Sequence, residues 1–354
     1  MAETGEESGQ DWDAVMPPRR RRLRRVLAAA AALLIALLAY GWFTRVDLAD
    51  RLLSSQFESM GIPATYRIES IGPRHQALTD IVIGDPARPD MTIERAEIRI
   101  DPRFGLPVIG SVRLVRPRLY GSLHDGKLSF GSLDTVIFAE REEPTGLPEL
   151  DLVLVDGRAL IETDYGPIGA KAEGSGQLRD GFGGILAVNA PRLKQGNCTA
   201  QRTTLFGKVT VRKHQPSFDG PLRVGAITCA DGSSLRGAGA SSAVTGNALL
   251  DGARGEVGLK LGAASFGANR LSGAQGNGHL EWQDNRLTAR YDLAALGIVT
   301  APAVIGRLEG SGQLRARAGL DRLEWEADWD GAGLRLGSGF ASAVEGVARS
   351  DRKS

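Results

Sequence analysis

The side chains that most often do chemistry are few in this chain and far apart. Its four histidines, His75, His124, His214 and His279, are dispersed, with no His-Glu-x-x-His and no order resembling a Ser-His-Asp triad. Cys198 and Cys229 have no histidine at ligand spacing, so no metal site is expected of them. An even cysteine count outside the cytoplasm favours a disulfide between the two, with a pair of buried thiols as the alternative. Glu324, Glu326 and Asp328 alternate with Leu323, Trp325, Ala327 and Trp329, so they form the wet face of a strand and not an acid–base pair. Gly174-Ser175-Gly176 and Gly310-Ser311-Gly312 look at first like phosphate loops. They lack the third glycine, the preceding buried strand and the following helix that such a loop needs. These residues point to no enzyme, no catalytic group, no metal and no cofactor.

The residues with the clearest physical consequence are instead the arginines Arg19, Arg20, Arg21, Arg22, Arg24 and Arg25. They run into eighteen uncharged, mainly apolar residues, Val26 to Phe43. As a helix, that stretch is about 27 Å long, close to the roughly 30 Å hydrocarbon core of a bilayer. Arginine is held on the cytoplasmic side, so the following chain is expected beyond the membrane. The exit, through Tyr40, Trp42, Phe43 and Arg45, has interfacial aromatics and no small-x-small cleavage site, as suits a retained anchor. The expected organisation is a disordered basic tail over 1–25, an anchor over 26–44 and an amphipathic helix over 45–61. The last carries Leu48, Leu52, Leu53 and Phe57 at helical spacing. A β region over 62–345 and a polar end over 346–354 complete it. The net charge is +1 and nothing past the arginines is strongly basic, which excludes a nucleic-acid partner.

From Ile62 onward the pattern is strand after strand, with a possible helical stretch near Ala294–Ile305. Leu287, Ala289, Tyr291 and Leu293 alternate with polar residues, as do Leu323, Trp325, Ala327 and Trp329; Leu150, Leu152 and Leu154 do so more loosely. Seven Asp-Gly pairs, at Asp125, Asp156, Asp180, Asp219, Asp231, Asp251 and Asp330, punctuate the array, and at least some are expected to join sequential strands as hairpin turns, most clearly within Leu123–Leu128. The repeat Gly-Ser-Gly-Gln-Leu-Arg at Gly174 and Gly310, with a looser copy at Gly276, is expected to open strands of similar units. Glycine is unusually frequent at 46 of 354 residues, against about 7% in ordinary proteins.

A long antiparallel sheet with one apolar face must cover that face. With almost no helix to do so, it can close into a sandwich or barrel, coil into a solenoid, or curl into an open groove filled by something else. Small inward residues such as Ala289 and Ala327 favour the groove, and lipid acyl chains are the natural filler. A charge placed at Ala289 or Ala327 is then expected to block lipid without unfolding the sheet. A membrane-tethered scaffold with a dry core, binding envelope proteins, is the alternative.

Further residues carry a resemblance. They are Gly61-Ile62-Pro63-Ala64-Thr65-Tyr66-Arg67-Ile68, Leu78-Thr79-Asp80-Ile81-Val82-Ile83-Gly84-Asp85-Pro86, Val115-Arg116-Pro117-Arg118-Leu119-Tyr120, Asp125 to Asp134, and Tyr165-Gly166-Pro167-Ile168 with the cysteine spacing. Over about residues 20–345 the chain resembles the beginning of a YdbH-type protein, within the AsmA-like inter-membrane bridge family that includes TamB and YhdP. The resemblance implies an inner-membrane anchor and an elongated periplasmic β-groove conducting phospholipids towards the outer membrane. The candidate lipid-groove residues are then Leu150, Leu152, Leu154, Leu287, Ala289, Tyr291, Leu293, Leu323, Trp325, Ala327 and Trp329. Members of this type are longer. The expectation is therefore an N-terminal portion, completed by a separate C-terminal bridge segment or other envelope proteins.

Overall fold

The computed structural model of the chain describes residues 61–72, 74–101, 108–138, 146–317 and 322–353. The arginine run, the expected anchor and the expected amphipathic helix lie outside the described residues. Among those described, no helix is long and apolar enough to cross a membrane.

Nineteen strands form one sheet. They are β1 (Ala64–Ile71), β2 (His75–Asp85), β3 (Arg88–Asp101), β4 (Val108–Val115), β5 (Arg118–His124), β6 (Lys127–Ser129), β7 (Asp151–Thr163), β8 (Ile168–Gln177), β9 (Gly183–Gln195) and β10 (Cys198–Arg212). There follow β11 (Gln215–Cys229), β12 (Ser234–Gly246), β13 (Ala253–Leu261), β14 (Ala264–Phe266), β15 (Asn269–Gln283), β16 (Arg286–Val299), β17 (Ala303–Arg317), β18 (Arg322–Leu336) and β19 (Gly339–Lys353). Among the described residues the only helical turns are a 3₁₀ turn, Gly131–Leu133, and the single turn α1, Asp134–Ile137. The helical stretch expected near Ala294–Ile305 is instead the end of β16 and the start of β17. Its β-branched Ile298, Val299, Val304 and Ile305 favour a pleated strand.

The strand pairings are antiparallel, with one exception that corrects the all-antiparallel expectation. β7 lies parallel to both β4 and β5, through Val112↔Leu152 and Leu119↔Ala159. β4 and β5 behave as one strand broken at Arg116-Pro117, since proline cannot donate to a ladder. The long excursion from His124 to Asp151 lets the chain return in the same direction. Phe130 in this excursion lies over Gly121, where an added Cβ would meet its ring at 2.7 Å. Among the described residues β1 pairs only with β2, and β19 only with β18.

Asp-Gly makes only some of the turns. Asp125-Gly126 makes the expected tight turn, with φ of 50° and 74°. Asp156-Gly157, Asp219-Gly220 and Asp330-Gly331 lie inside β7, β11 and β18. Lys213-His214 and Asp284-Asn285 make left-handed turns without glycine, with φ of 50° and 66° and of 51° and 58°. The repeated Gly-x-Gly also does not open strands. Gly276 and Gly310 sit in the middle of β15 and β17, and Gly174 near the end of β8.

Two lines of left-handed residues cross the sheet. In the first, Asp80 of β2, Arg116 at the break between β4 and β5, and Asp156 of β7 take φ of 52°, 50° and 47°, with Glu94 of β3 at the register position facing Asp80. In the second, Arg202, Gly237, Gly297 and Gly333 take φ of 53°, 69°, 61° and 72° in β10, β12, β16 and β18. At each such residue the ladder skips a pair. We call these lines the charged crease and the glycine crease.

Buried aliphatic side chains are concentrated at the amino-terminal end: Leu78, Ile81, Ile83 and Ile93, with Ile62 just ahead of β1. From β9 onward the buried apolar residues are Val211 and the alanines Ala190, Ala264, Ala289 and Ala316. No large side chain is fully enclosed among the described residues. Cys198 and Cys229 face each other across β10 and β11 and form a disulfide.

Candidate functional site

Register fixes which residues share a face, because directly paired residues point the same way. Followed strand to strand, one row begins Ala64–Ile83–Met91–Leu119–Ala159–Ala170–Val188–Leu205. It continues Leu222–Ala240–Leu259–Gly276–Leu293–Gly310–Trp329–Gly346. These sixteen positions are all apolar or glycine, and they span on the order of 70 Å at the usual strand spacing. A second row on the same face runs from Leu154 through Val209, Phe218, Val244, Leu280, Ala289 and Leu314 to Trp325. Between them lies a row containing Val257, Gly278, Tyr291, Gly312 and Ala327. Its one hydroxyl outside Tyr291, on Ser242, donates to the Gly220 carbonyl at 3.0 Å, so it offers no free polar group.

The sequence candidates fall onto this face together. Leu152 and Leu154 of β7, Leu287, Ala289, Tyr291 and Leu293 of β16, and Trp325, Ala327 and Trp329 of β18 share it, and Leu323 takes the register position opposite Ala316. Leu150 precedes β7, where its carbonyl accepts from the Leu178 amide at 2.9 Å. Ala289 is 8% exposed, so a charge there would disturb packing as well as any ligand. Leu222, Leu259 and Leu293, at 37%, 37% and 41% exposed, are the better probes.

Glycine builds the surface of this face. The Leu293 side chain lies across Gly276, the Tyr291 ring across Gly312 and the Trp329 ring across Gly346; an added Cβ would meet them at 2.3 Å, 2.7 Å and 2.3 Å. Bulky groups therefore lie down over a neighbouring strand instead of standing up, which leaves a low apolar surface. The Tyr291 hydroxyl reaches towards the Glu326 carbonyl at 3.5 Å, and burial raises its pKa. Leu205, Leu222 and Leu259 were missed in the sequence. Their signal was available in alternations such as Val257, Leu259 and Leu261 against Glu256 and Lys260.

The opposite face is wet. A hollow of about 840 Å³ there is lined by Arg223, Lys260, Asn277, Asp292, Glu309 and Asp328, which alternate with the apolar row. The charged crease carries ion pairs: Arg67 with Asp80 at 3.3 Å, Arg118 with Asp156 at 2.9 Å, and Arg116 with Glu94. The Arg116 hydrogen bond holds Glu94 below the usual carboxylate range, and Arg118 does the same for Asp156. Among the described residues no three His, Cys, Asp or Glu side chains are grouped to hold a metal.

The model of one protein family, the YdbH-like family described as "Intermembrane phospholipid transport protein YdbH", matches residues 32–350. The chain belongs to the YdbH-like family. No curated protein and no solved structure matches it. The family is one of lipid transport and not of enzymes, and its cargo is phospholipid.

Proposed function

We infer that the chain conducts phospholipids by letting their acyl chains slide along the apolar face, with the sheet curled into an open groove around them. The observation that carries this is the unbroken apolar row of sixteen strands, with Leu222, Leu259 and Leu293 left over a third exposed. A buried methylene is worth about 0.8 kcal/mol, so a 16-carbon chain gains on the order of 10 kcal/mol without a polar contact. Equivalent weak contacts repeated along the row give binding without a deep site, which suits movement. The anchor at 26–44 and the arginines at 19–25 would fix the chain in the inner membrane with its strands in the periplasm, carrying lipid towards the outer membrane. A separate C-terminal bridge segment or other envelope proteins would complete the path.

The test is native mass spectrometry with lipid extraction on the full chain purified from membranes. Wild type is expected to retain several phospholipids, and Leu293→Glu together with Leu259→Glu to lose most of them while keeping the β-sheet circular dichroism. A folded wild type that carries no phospholipid would sink this reading. One observation favours a second reading, a tethered protein-binding scaffold: Tyr120, Leu160 and Phe206 are exposed on the wet face around a hollow of about 680 Å³. A scaffold would be lipid-free in the same experiment.

A further inference from the structure

Simple alternation predicts that beyond Gly297 the side chains of β16 continue in phase, so that Ile298 points to the wet face, opposite Leu293 and Ala295. Burial contradicts that phase. In β9, β10, β12, β17 and β19 the less exposed residues on either side of the glycine crease are three apart, with two exposed residues between: Ala190 and Leu193, Ala200 and Thr203, Leu235 and Ala238, Ile305 and Leu308, Ala341 and Val344. A residue near φ +60° does not advance the pleat as an extended residue does, so the strand beyond it changes phase by one. The charged crease shows the same slip where packing is tight. Leu78 and Ile81 flank Asp80 and are 5% and 4% exposed, and Ile93 and Ala96 flank the Glu94–Arg95 step at 8% and 5%.

We propose that the strip beyond the glycine crease is a side wall of the lipid path, its apolar row turned to the same side as the floor that carries Leu293. Register joins Ile227, Leu235, Leu271, Ile298, Ile305 and Leu334 into this row, through Ala264 between Leu235 and Leu271. The floor and wall meet along Gly225, Gly237, Gly297, Gly306 and Gly333. There, Gly237, Gly297 and Gly333 take the positive φ, and a facing glycine leaves room for the neighbouring strand, as where Gly333 lies against Gly306. Past the wall, Phe266 and Leu336, each two residues on from a wall-row position, are exposed at the sheet margin, so the apolar surface continues to the rim. An acyl chain lying in the corner is contacted on two sides, and the disulfide at Cys198–Cys229 ties two wall strands together. This wall rests on the lipid-conduit reading.

The experiment places a photoreactive amino acid, one position at a time, in the full membrane-anchored chain and measures phospholipid adducts. The expected result is adducts at Ile305 and Leu334 comparable to those at Leu293, and at least fivefold fewer at Arg307 and Ala332. Adducts at Leu293 but not at Ile305 and Leu334, or equal adducts at Arg307 and Ala332, overturn the wall and leave the conduit standing. No adduct at Leu293 overturns both. Gly333→Val forces a β-branched residue into the corner and is expected to cut wall adducts several-fold with floor adducts kept. Gly333→Asn, which tolerates positive φ, is expected to restore them. Unchanged wall adducts in Gly333→Val count against the corner.

Discussion

The two creases do the same geometric work with different residues. In β1–β8 the left-handed positions are Asp80, Arg116 and Asp156, tied by ion pairs to Arg67, Glu94 and Arg118, and the strands beside them bury Leu78, Ile81, Ile83 and Ile93. In β9–β19 three of the four left-handed positions of the crease are glycine, and the apolar residues buried nearby are mostly alanine. The first region buries large aliphatic side chains. The second buries mainly alanines, leaves leucines such as Leu222, Leu259 and Leu293 partly exposed, and places glycine at most of its corner. The contrast teaches that one sheet can be tightly packed at one end and open along the rest.

That contrast can be broken experimentally. The largest effect is expected where no core supports the strands. Cys198→Ser with Cys229→Ser releases the link between β10 and β11, a sequence separation of 31, and should cost about 3–4 kcal/mol in chemical denaturation. A much smaller loss would mean that these strands are better packed than their exposure suggests. Next, Ile81→Ala should cost about 3 kcal/mol, and Leu222→Ala less than about 1 kcal/mol in lipid-free protein, because only the first leaves a cavity. Equal costs would erase the distinction between packed and open regions. Then, Gly333→Val should destabilise by about 1–2 kcal/mol through its positive φ, whereas Asp80→Gly, which relieves that strain while losing an ion pair, should change stability by no more than about 1 kcal/mol.

The smallest effect is a pH dependence in the charged region. His124 Nδ1 lies 2.6 Å from Asp164 Oδ1, and this bond raises the His124 pKa and lowers that of Asp164. Stability from the raised histidine is full below its ordinary value of 6.5 and is lost as pH rises through the folded value. Stability from the lowered Asp164 is present above its ordinary 3.8 and is lost as pH falls through the folded value. The pair therefore contributes most between about pH 4 and 6.5. His124→Gln should flatten the denaturation midpoint of wild type between pH 6 and 8, and an unchanged slope would remove the pair from the account.

Much of this was legible in the residues. Period-two alternation in Leu287–Leu293 and Leu323–Trp329 located an apolar face that register then joined across the sheet. What alternation could not reveal was its own interruption. Gly297 and Gly333 read as ordinary strand glycines, because positive φ is a backbone property that leaves no period. Asp-Gly marks a turn at Asp125 but lies inside strands at Asp156, Asp219 and Asp330, since the same dipeptide suits a crease or a close approach of strands as well as a turn. Gly-x-Gly was seen as a repeat but not as the bed on which Leu293 and Tyr291 lie, which depends on pairing between distant segments. The parallel joining of β7 to β4 and β5 likewise rests on a long-range return that no local pattern encodes.

The most direct measurement is a photo-crosslinking scan along the central row in membranes, at Leu205, Leu222, Leu259 and Leu293, against their wet-face neighbours Thr204, Arg223, Lys260 and Asp292. An acyl-chain path predicts phospholipid adducts at all four row positions and few or none at the four neighbours. Adducts absent from the row, or equally frequent on both faces, would contradict it.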